Sequence, residues 1–457
     1  MFEVESSDRL FCIVLDKWLA FAISYSDIPG LQIAVRKKEK LIFSKSYGLA
    51  DLEGAEAYTP RHLGHLASQS KMVTSCLTMQ LVQDGVLTLD QRLAKLVPWA
   101  GAHKDNRFRD ITVRDLLSHR SGLCSNGSEG SYWELFRDFP SEAQFIAELK
   151  ETPLVYAPDT CTKYSNYGFA LLGLVLQEVT GKPYHALVAE AAARRWRISE
   201  LLPDHAEGQF PFATGYSKKI YDGACKPFRH VCANALAPAV GLCGNAESAS
   251  LFAWRYYCSN DFLTPALREE LTRSKWNIKN LTEEFYGLGT MFSPFKDTFL
   301  TGHSGSTPGF YSQTRYLAGT DYVFSVVVNG SEPVAASIVC SVARLLHNLA
   351  RNFDDVESGT VITSDILMNW WGASLYAVSP RRALLFSVSG WGFGDCTALE
   401  RRADGTYASD DISGYSSVGE AVRFKRDGEK IVEAKFAAFT ALPFADFITK
   451  SQVSFTS

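Results

Sequence analysis

The chain has 457 residues, of which 46% are hydrophobic, 21% charged and 12% aromatic, with a formal net charge of -4. That is the profile of a globular protein long enough for one large domain and a smaller one, and its charge balance excludes a nucleic-acid partner. The basic clusters Arg36-Lys37-Lys38 and Arg194-Arg195 are short solvated faces, and the longest apolar run, residues 169–176, is far too short for a membrane span. The N-terminus is acidic where a signal peptide would be basic, and the ten cysteines are scattered without a C-x-x-C pair. The expectation is a cytoplasmic protein with reduced thiols. No cofactor is expected, and no metal, since the spacing of Cys225, Cys232 and Cys243 matches no zinc pattern.

In chain order, residues 8–27 read as a helix carrying Leu10, Phe11, Val14, Leu15 and Leu19, broken by Pro29-Gly30. Residues 31–35 and 41–47 read as a hairpin across a charged turn. Then Leu66-Ala67-Ser68-Gln69-Ser70-Lys71 opens a helix in which Val73, Cys76, Leu77 and Leu81 recur at helical spacing up to Gly85. Ser68 falls on its first turn. Lys71, three residues on, shares its face, so the lysine nitrogen lies against the serine hydroxyl, where the helix N-terminus favours an alkoxide. This is the S-x-x-K arrangement of a serine nucleophile; by itself it also reads as a helix cap and a surface lysine. Ser70 lacks a lysine three residues on and reads as packing. His62 and His65 have no third metal ligand in view.

Further along, Asp90 is placed as the cap of a short helix running to Pro98, and Thr112-Val113-Arg114-Asp115 as a capping arrangement ahead of Leu116-Leu117. Residues 167–180 form an apolar helix stopped by Gly181. Residues 310–317 and 322–329 read as a second hairpin, and 337–352 as a closing helix. The expected fold is therefore α+β: an antiparallel sheet built from both ends of residues 1–353, flanked by helices, with a large helical insertion over roughly residues 75–250. Residues 354–365 read as a linker. Residues 366–457, with alternating segments at 374–378, 383–388, 421–425 and 431–439 split by Asp404-Gly405 and Asp427-Gly428, read as a small all-β, barrel-like domain.

Three more stretches carry the functional reading: Lys163-Tyr164-Ser165-Asn166-Tyr167-Gly168, the run of residues 302–310 around His303-Ser304-Gly305-Ser306, and residues 111–123 around Ser118-His119-Arg120-Ser121-Gly122. With the Ser68 stretch, their order and spacing resemble the serine β-lactamase and penicillin-binding-protein superfamily, closest to class C β-lactamases, D-peptidases and related esterases and acyltransferases. The resemblance implies a β-lactamase/transpeptidase-like fold and a set of roles. Ser68 would be the nucleophile, Lys71 the holder of its proton network, and Tyr164 the general base for acylation and the acid towards the leaving group. Asn166 would bind the substrate's carbonyl side. His303 would stand where many relatives carry a lysine. Ser304, Gly305 and Ser306 would line the substrate, with the backbone N–H groups of Ser68 and Ser306 as oxyanion hole.

The chemistry agrees. A serine hydroxyl needs a proton acceptor, and a tyrosine serves at neutral pH only if a cation such as Lys71 lowers its pKa. His303 would titrate near neutrality. His119 reads as structural. In the tail, Asn369-Trp370-Trp371-Gly372 and residues 419–424 resemble the lipocalin-like domain appended to some penicillin-binding-type peptidases and thioesterases. The expected activity is a serine hydrolase forming an acyl-enzyme with an amide or ester of a small molecule or peptide, one containing D-amino acids among them. The alternatives are an acyltransferase or thioesterase/peptide cyclase, and a silent peptide-binding member, which would have no need of Ser68, Lys71 and Tyr164 together. Oligomeric state is left open.

Overall fold

The computed structural model describes residues 6–24, 26–205, 210–220, 223–278 and 284–352. It also describes residues 362–451 apart from 366, 370–371, 379–381, 390–391, 409–420, 429 and 437–438. The chain forms two compact units. One is Asp27–Ala336; the other combines Met1–Ser26 with Ser337–Ser457.

Asp27–Ala336 is built on a nine-stranded antiparallel sheet. Strand Gly30–Lys37 pairs with Lys40–Asp51 on one side and with Tyr322–Val328 on the other, so the two ends of this unit meet in mid-sheet, Ile33 opposite Val326. The order continues through Phe310–Leu317, Thr298–Thr307 and Met291–Phe295 to two short edge strands, Phe285–Tyr286 and Trp276–Asn277. Both expected hairpins are present, the first turning at Lys38, whose φ is 55°. Helix Ala246–Tyr257 lies against strands Gly30–Lys37, Phe310–Leu317 and Tyr322–Val328. The helical insertion is likewise observed.

Inside it, helix Ser70–Gln83 buries Val73 and Cys76 and half-buries Leu77 and Leu81, as the spacing predicts. Gly85 follows at φ 72°. Thr112 and Asp115 form a capping box on helix Val113–Leu117. Helix Asn166–Thr180 is buried along Phe169, Leu171, Leu172, Val175 and Leu176 and ends on Gly181 in the left-handed region. One expectation fails locally: Asp90 caps nothing, because its carboxylate is taken by Arg114 Nε at 2.8 Å, and the short turn Leu93–Lys95 starts from Arg92.

The other unit contains helices Ser6–Ser24 and Ala335–Asn352, the latter beginning two residues before the unit boundary, and an antiparallel meander. Its strands run Leu367–Asn369, Gly372–Val378, Arg382–Ser389, Gly392–Arg401, Tyr407–Ala408, Val422–Asp427, Lys430–Phe436 and Phe439–Pro443. Each pairs with the next, and Leu367–Asn369 pairs with Phe439–Pro443. Leu367, Tyr376, Val378, Leu399, Val422 and Ile431 form its core. Strand Gly392–Arg401 is absent from the sequence reading, because Gly392, Gly394 and Asp395 break its alternation. Trp370, Trp371, Trp391 and most of the linker lie outside the described residues. Among the described residues, no helix is long and apolar enough to cross a membrane.

Candidate active site

Ser68 does not sit on the first turn of an α-helix. It occupies a short 3-10 turn, Ala67–Gln69, that leads into helix Ser70–Gln83. Ala67 holds φ at 51°, a left-handed conformation that costs an alanine of order 1 kcal/mol, so the turn is kept by its surroundings. Ser70 supplies part of that hold. Its buried hydroxyl donates to Ala67 O at 2.6 Å and accepts from Leu242 N at 2.8 Å, a structural role in line with the sequence reading. Ser312 donates to Leu66 O at 2.9 Å and accepts from Gln69 Nε2 at 2.8 Å. Ser68 itself is only half-buried, and so reachable.

Lys71 is fully buried. Its Nζ lies 2.8 Å from Asn166 Oδ1, 2.8 Å from Ala239 O and 3.1 Å from Ser68 Oγ. Two of these partners are carbonyl oxygens, which only accept, so they take two N–H bonds. The third, a hydroxyl, can donate. Burial holds the Lys71 amine well below the ordinary lysine range. A neutral amine can give its two N–H bonds to these carbonyl oxygens and turn its lone pair to Ser68.

Tyr164 lies beside the same serine, its hydroxyl in contact with that of Ser68 and its ring 4.7 Å beneath Lys71 Nζ. Here the expected pKa argument reverses. Burial raises the Tyr164 hydroxyl above its ordinary value, and the Ser68 bond offsets this only in part. The tyrosine therefore stays protonated at neutral pH. Its backbone is pinned by His119, whose φ of 58° turns the ring so that Nδ1 accepts from Ser165 N at 3.1 Å. The His119 ring packs, tilted, between Tyr164 (4.2 Å between centroids) and Tyr286 (4.4 Å).

Asn166 is the first helical residue of Asn166–Thr180, and Ser165 is the cap, accepting from Gly168 N at 2.9 Å. That leaves the Asn166 amide for the site. Its Oδ1 takes the Lys71 bond, and its Nδ2 donates to Asn126 Oδ1 at 2.8 Å.

Strand Thr298–Thr307 forms the opposite wall. Gly305 has a definite reason for its lack of a side chain: a Cβ there would lie 2.0 Å from Leu66 O and 2.4 Å from Ser312 Oγ. The strand thus presses directly on the segment that carries Ser68. Thr307 and Phe310 flank the two-residue turn Pro308-Gly309. The antiparallel alternation then makes His303, Gly305 and Thr307 the hydrogen-bonded positions, and turns the N–H and C=O groups of Ser304 and Ser306 to the other side. There, Met291–Phe295 pairs only with residues 298–302, so the edge at Ser304–Ser306 is uncovered among the described residues.

His303 departs from expectation. It is buried; its Nε2 lies 3.0 Å from the Tyr286 hydroxyl and its Nδ1 2.6 Å from Ser304 O. The carbonyl accepts only, so Nδ1 carries the proton and Nε2 accepts from Tyr286. Burial pushes its pKa well below the ordinary histidine value. It does not titrate near pH 7. NMR of the His303 imidazole is expected to show no titration between about pH 5.5 and 8, the range in which an ordinary histidine changes charge; a midpoint inside that window would restore it as a proton carrier.

The structure thus brings Ser68, Lys71, Tyr164 and Asn166 into contact and places His303, Ser304, Gly305 and Ser306 on the adjoining strand. Asn126, the Ala239 carbonyl and Tyr286 were missed as site groups. Tyr286 had a weak signal in its Tyr-Gly-Leu-Gly run, whereas a backbone carbonyl has none. His62 and His65 face apart. His62 bonds Thr59 and Glu56, each at 2.8 Å, while Cys243 Sγ stands 3.5 Å from His65 Nδ1.

Known proteins share this architecture. A D-aminopeptidase of Brucella ovis is 25% identical over 416 residues, covering 88% of this chain and 73% of that protein. An octameric penicillin-binding protein homologue from Pyrococcus abyssi superposes with a TM-score of 0.65 at 19% identity, covering 94% of this chain and 99% of its own. A D-amino acid amidase from Ochrobactrum anthropi SV3 gives a TM-score of 0.61 at 19% identity, covering 74% and 99%. Residues 20–348, which hold every group of the site described above, match the beta-lactamase family model, and the chain belongs to that family.

Proposed function

We propose that this protein is a serine amidohydrolase that forms an acyl-enzyme on Ser68 with small peptides or amides carrying a D-amino acid. The observation that carries the reading is the buried Lys71 amine, held by two carbonyl oxygens and facing the Ser68 hydroxyl. The D-preference rests on the relatives, a D-aminopeptidase and a D-amino acid amidase among them. The scattered cysteines support a reducing, cytoplasmic setting.

In this reading Lys71, not Tyr164, is the base. Nζ takes the Ser68 proton as Oγ attacks the carbonyl carbon, and the N–H groups of Ser68 and Ser306 hold the oxyanion. Tyr164 gives its proton to the departing amine, and the Lys71 ammonium returns one to the phenolate. Water then attacks the acyl-enzyme by the same route reversed. Asn166 orients Lys71 and, through the face it shares with Asn126, the substrate's amide. The uncovered Ser304–Ser306 edge accepts an extended peptide as an added strand. All of these groups lie before the linker. Residues 366–457 complete the proposal as a lipocalin-like accessory unit selecting larger substrates, with the division of the chain at 354–365.

A fluorophosphonate is expected to label Ser68 alone, and Ser68→Ala to abolish labelling without loss of fold. Across D- and L-amino-acid amides, p-nitrophenyl esters and nitrocefin, turnover is expected to be highest on D-amides. An adduct elsewhere, or L-amides turned over as well as D, refutes the respective part. Tyr164→Phe separates the two proton roles. It is expected to lower amide hydrolysis by about 10²–10⁴ but p-nitrophenyl ester hydrolysis far less, because p-nitrophenolate leaves without a proton. Equal losses on both would make Tyr164 the base.

A further inference from the structure

We propose that His65, His205 and His230 form a zinc site that braces the strand leading to the nucleophile. The inference stands apart from the substrate assigned above. Each histidine offers one ring nitrogen, and the three nitrogens lie within 4.8 Å of one another. They come from three separate segments. His65 is in strand Gly64–His65, paired with Cys243–Gly244; His205 and His230 lie in two loops. Asp204 ties those loops together: Oδ1 accepts from His205 N and Ala233 N, both at 2.9 Å, and Oδ2 from Asn234 N at 3.1 Å.

The three rings are neighbours in one cluster. His205 and His230 stack at 4.7 Å with 18° between planes, and His65 lies 5.8 and 5.9 Å from them. Phe212 and Phe310 pack edge-on against His65 at 5.2 and 5.3 Å, giving the site apolar walls. Three clustered basic rings cannot all be charged in such surroundings. Burial and mutual repulsion hold His65 at about 3 and His230 at about 4, the neutral, ligating form. Imidazole suits Zn²⁺, whose tetrahedral nitrogens sit about 3.3 Å apart, so binding draws the rings in by roughly 1 Å. His205 and His230 are half-buried, so solvent can fill the fourth position. The Cys243 thiol is engaged with Gly241 O at 3.3 Å.

The consequence is mechanical. His65 precedes Ser68 by three residues, and Leu66 N donates to Leu242 O at 2.8 Å between them. An ion joining His65 to both loops would anchor this segment independently of its contacts with strand Thr298–Thr307.

Full-length, untagged protein stripped with a chelator is to be titrated with Zn²⁺ by calorimetry and with Co²⁺ by visible absorption. Expected are one equivalent bound, a raised Tm, and the intense bands of four-coordinate Co²⁺. His205→Ala and His230→Phe, the second keeping the aromatic stack, are each expected to weaken Zn²⁺ binding on the order of 100-fold, the share of one ligand in a structural site. His103→Ala, a histidine that bonds Leu149 O and lies in none of these segments, is expected to leave it unchanged. No saturable binding to the wild type, or equal affinity in His230→Phe, overturns the site and leaves the trio as aromatic packing.

Discussion

Lys71→Met is expected to slow acylation of Ser68 by about 10²–10⁴, the usual contribution of a positioned general base, and to change stability with a pH dependence that reports the protonation state of Lys71. The sign follows from burial. In the folded protein burial holds the amine's pKa well below the ordinary value, whereas in the unfolded chain a lysine keeps its proton up to about pH 10.4. Between these two values the unfolded state binds more protons, so wild-type stability rises with pH. Methionine has no such proton. The difference in unfolding free energy between wild type and variant is therefore expected to move in favour of the wild type, by about 1.4 kcal/mol per pH unit, as pH rises from the lowered folded value towards the unfolded one. Urea unfolding at intervals across that range measures it. The offset itself depends on the Asn166 and Ala239 oxygens that methionine leaves without a donor; the slope does not. A flat difference would mean that Lys71 keeps its proton when folded, and the base would have to be sought elsewhere.

Gly305→Ala is expected to reduce kcat/KM by about 10²-fold or more although it touches no reacting atom. The added Cβ would meet the Leu66 carbonyl at 2.0 Å and the Ser312 hydroxyl at 2.4 Å. The first is backbone, two residues before Ser68, so relief requires the strand or the nucleophile turn to shift. A displacement of about 1 Å at reacting groups suffices for a loss of that size. Overpacking of this kind also costs about 1–3 kcal/mol, which thermal unfolding would register. The informative measurement compares fluorophosphonate labelling of Ser68 with turnover. Labelling and turnover falling together would place the damage at the oxyanion side, shared by both reactions. Unchanged turnover in a folded variant would show that the strand does not set the position of Ser68.

What could be read from the amino acids alone were features whose cause is local. The helix carrying Lys71 follows from the recurrence of Val73, Cys76, Leu77 and Leu81, and its end from Gly85. The capping box at Thr112 and Asp115, the hairpin around residues 318–321 and the left-handed stop at Gly181 are likewise properties of a few adjacent residues. The pairing of Ser68 with Lys71 belongs here only in part: their three-residue spacing is local, but the 3-10 turn at Ala67–Gln69 that presents Ser68 is held by its surroundings. The order of motifs extended this to Tyr164, Asn166 and residues 303–306.

Electrostatic state was beyond such reading, because it is set by burial. A tyrosine near a lysine looks like a lowered pKa on paper. In the folded chain the lysine is itself stripped of water and its pKa falls, while burial raises that of the tyrosine, which keeps its proton at neutral pH; in the proposed function the roles of base and acid therefore change places. His303 looked like a group poised at neutrality, and the fold encloses it between Tyr286 and Ser304. The three histidines 65, 205 and 230 show the same limit in another form. No spacing rule links them, since their approach depends on loops that meet only after the sheet and the helical insertion have closed, held there by Asp204 and by the pairing of His65 with Cys243. Covalent neighbourhood dictates turns, caps and helix faces; charge state and long-range convergence follow from solvent exclusion, which only the packed structure decides.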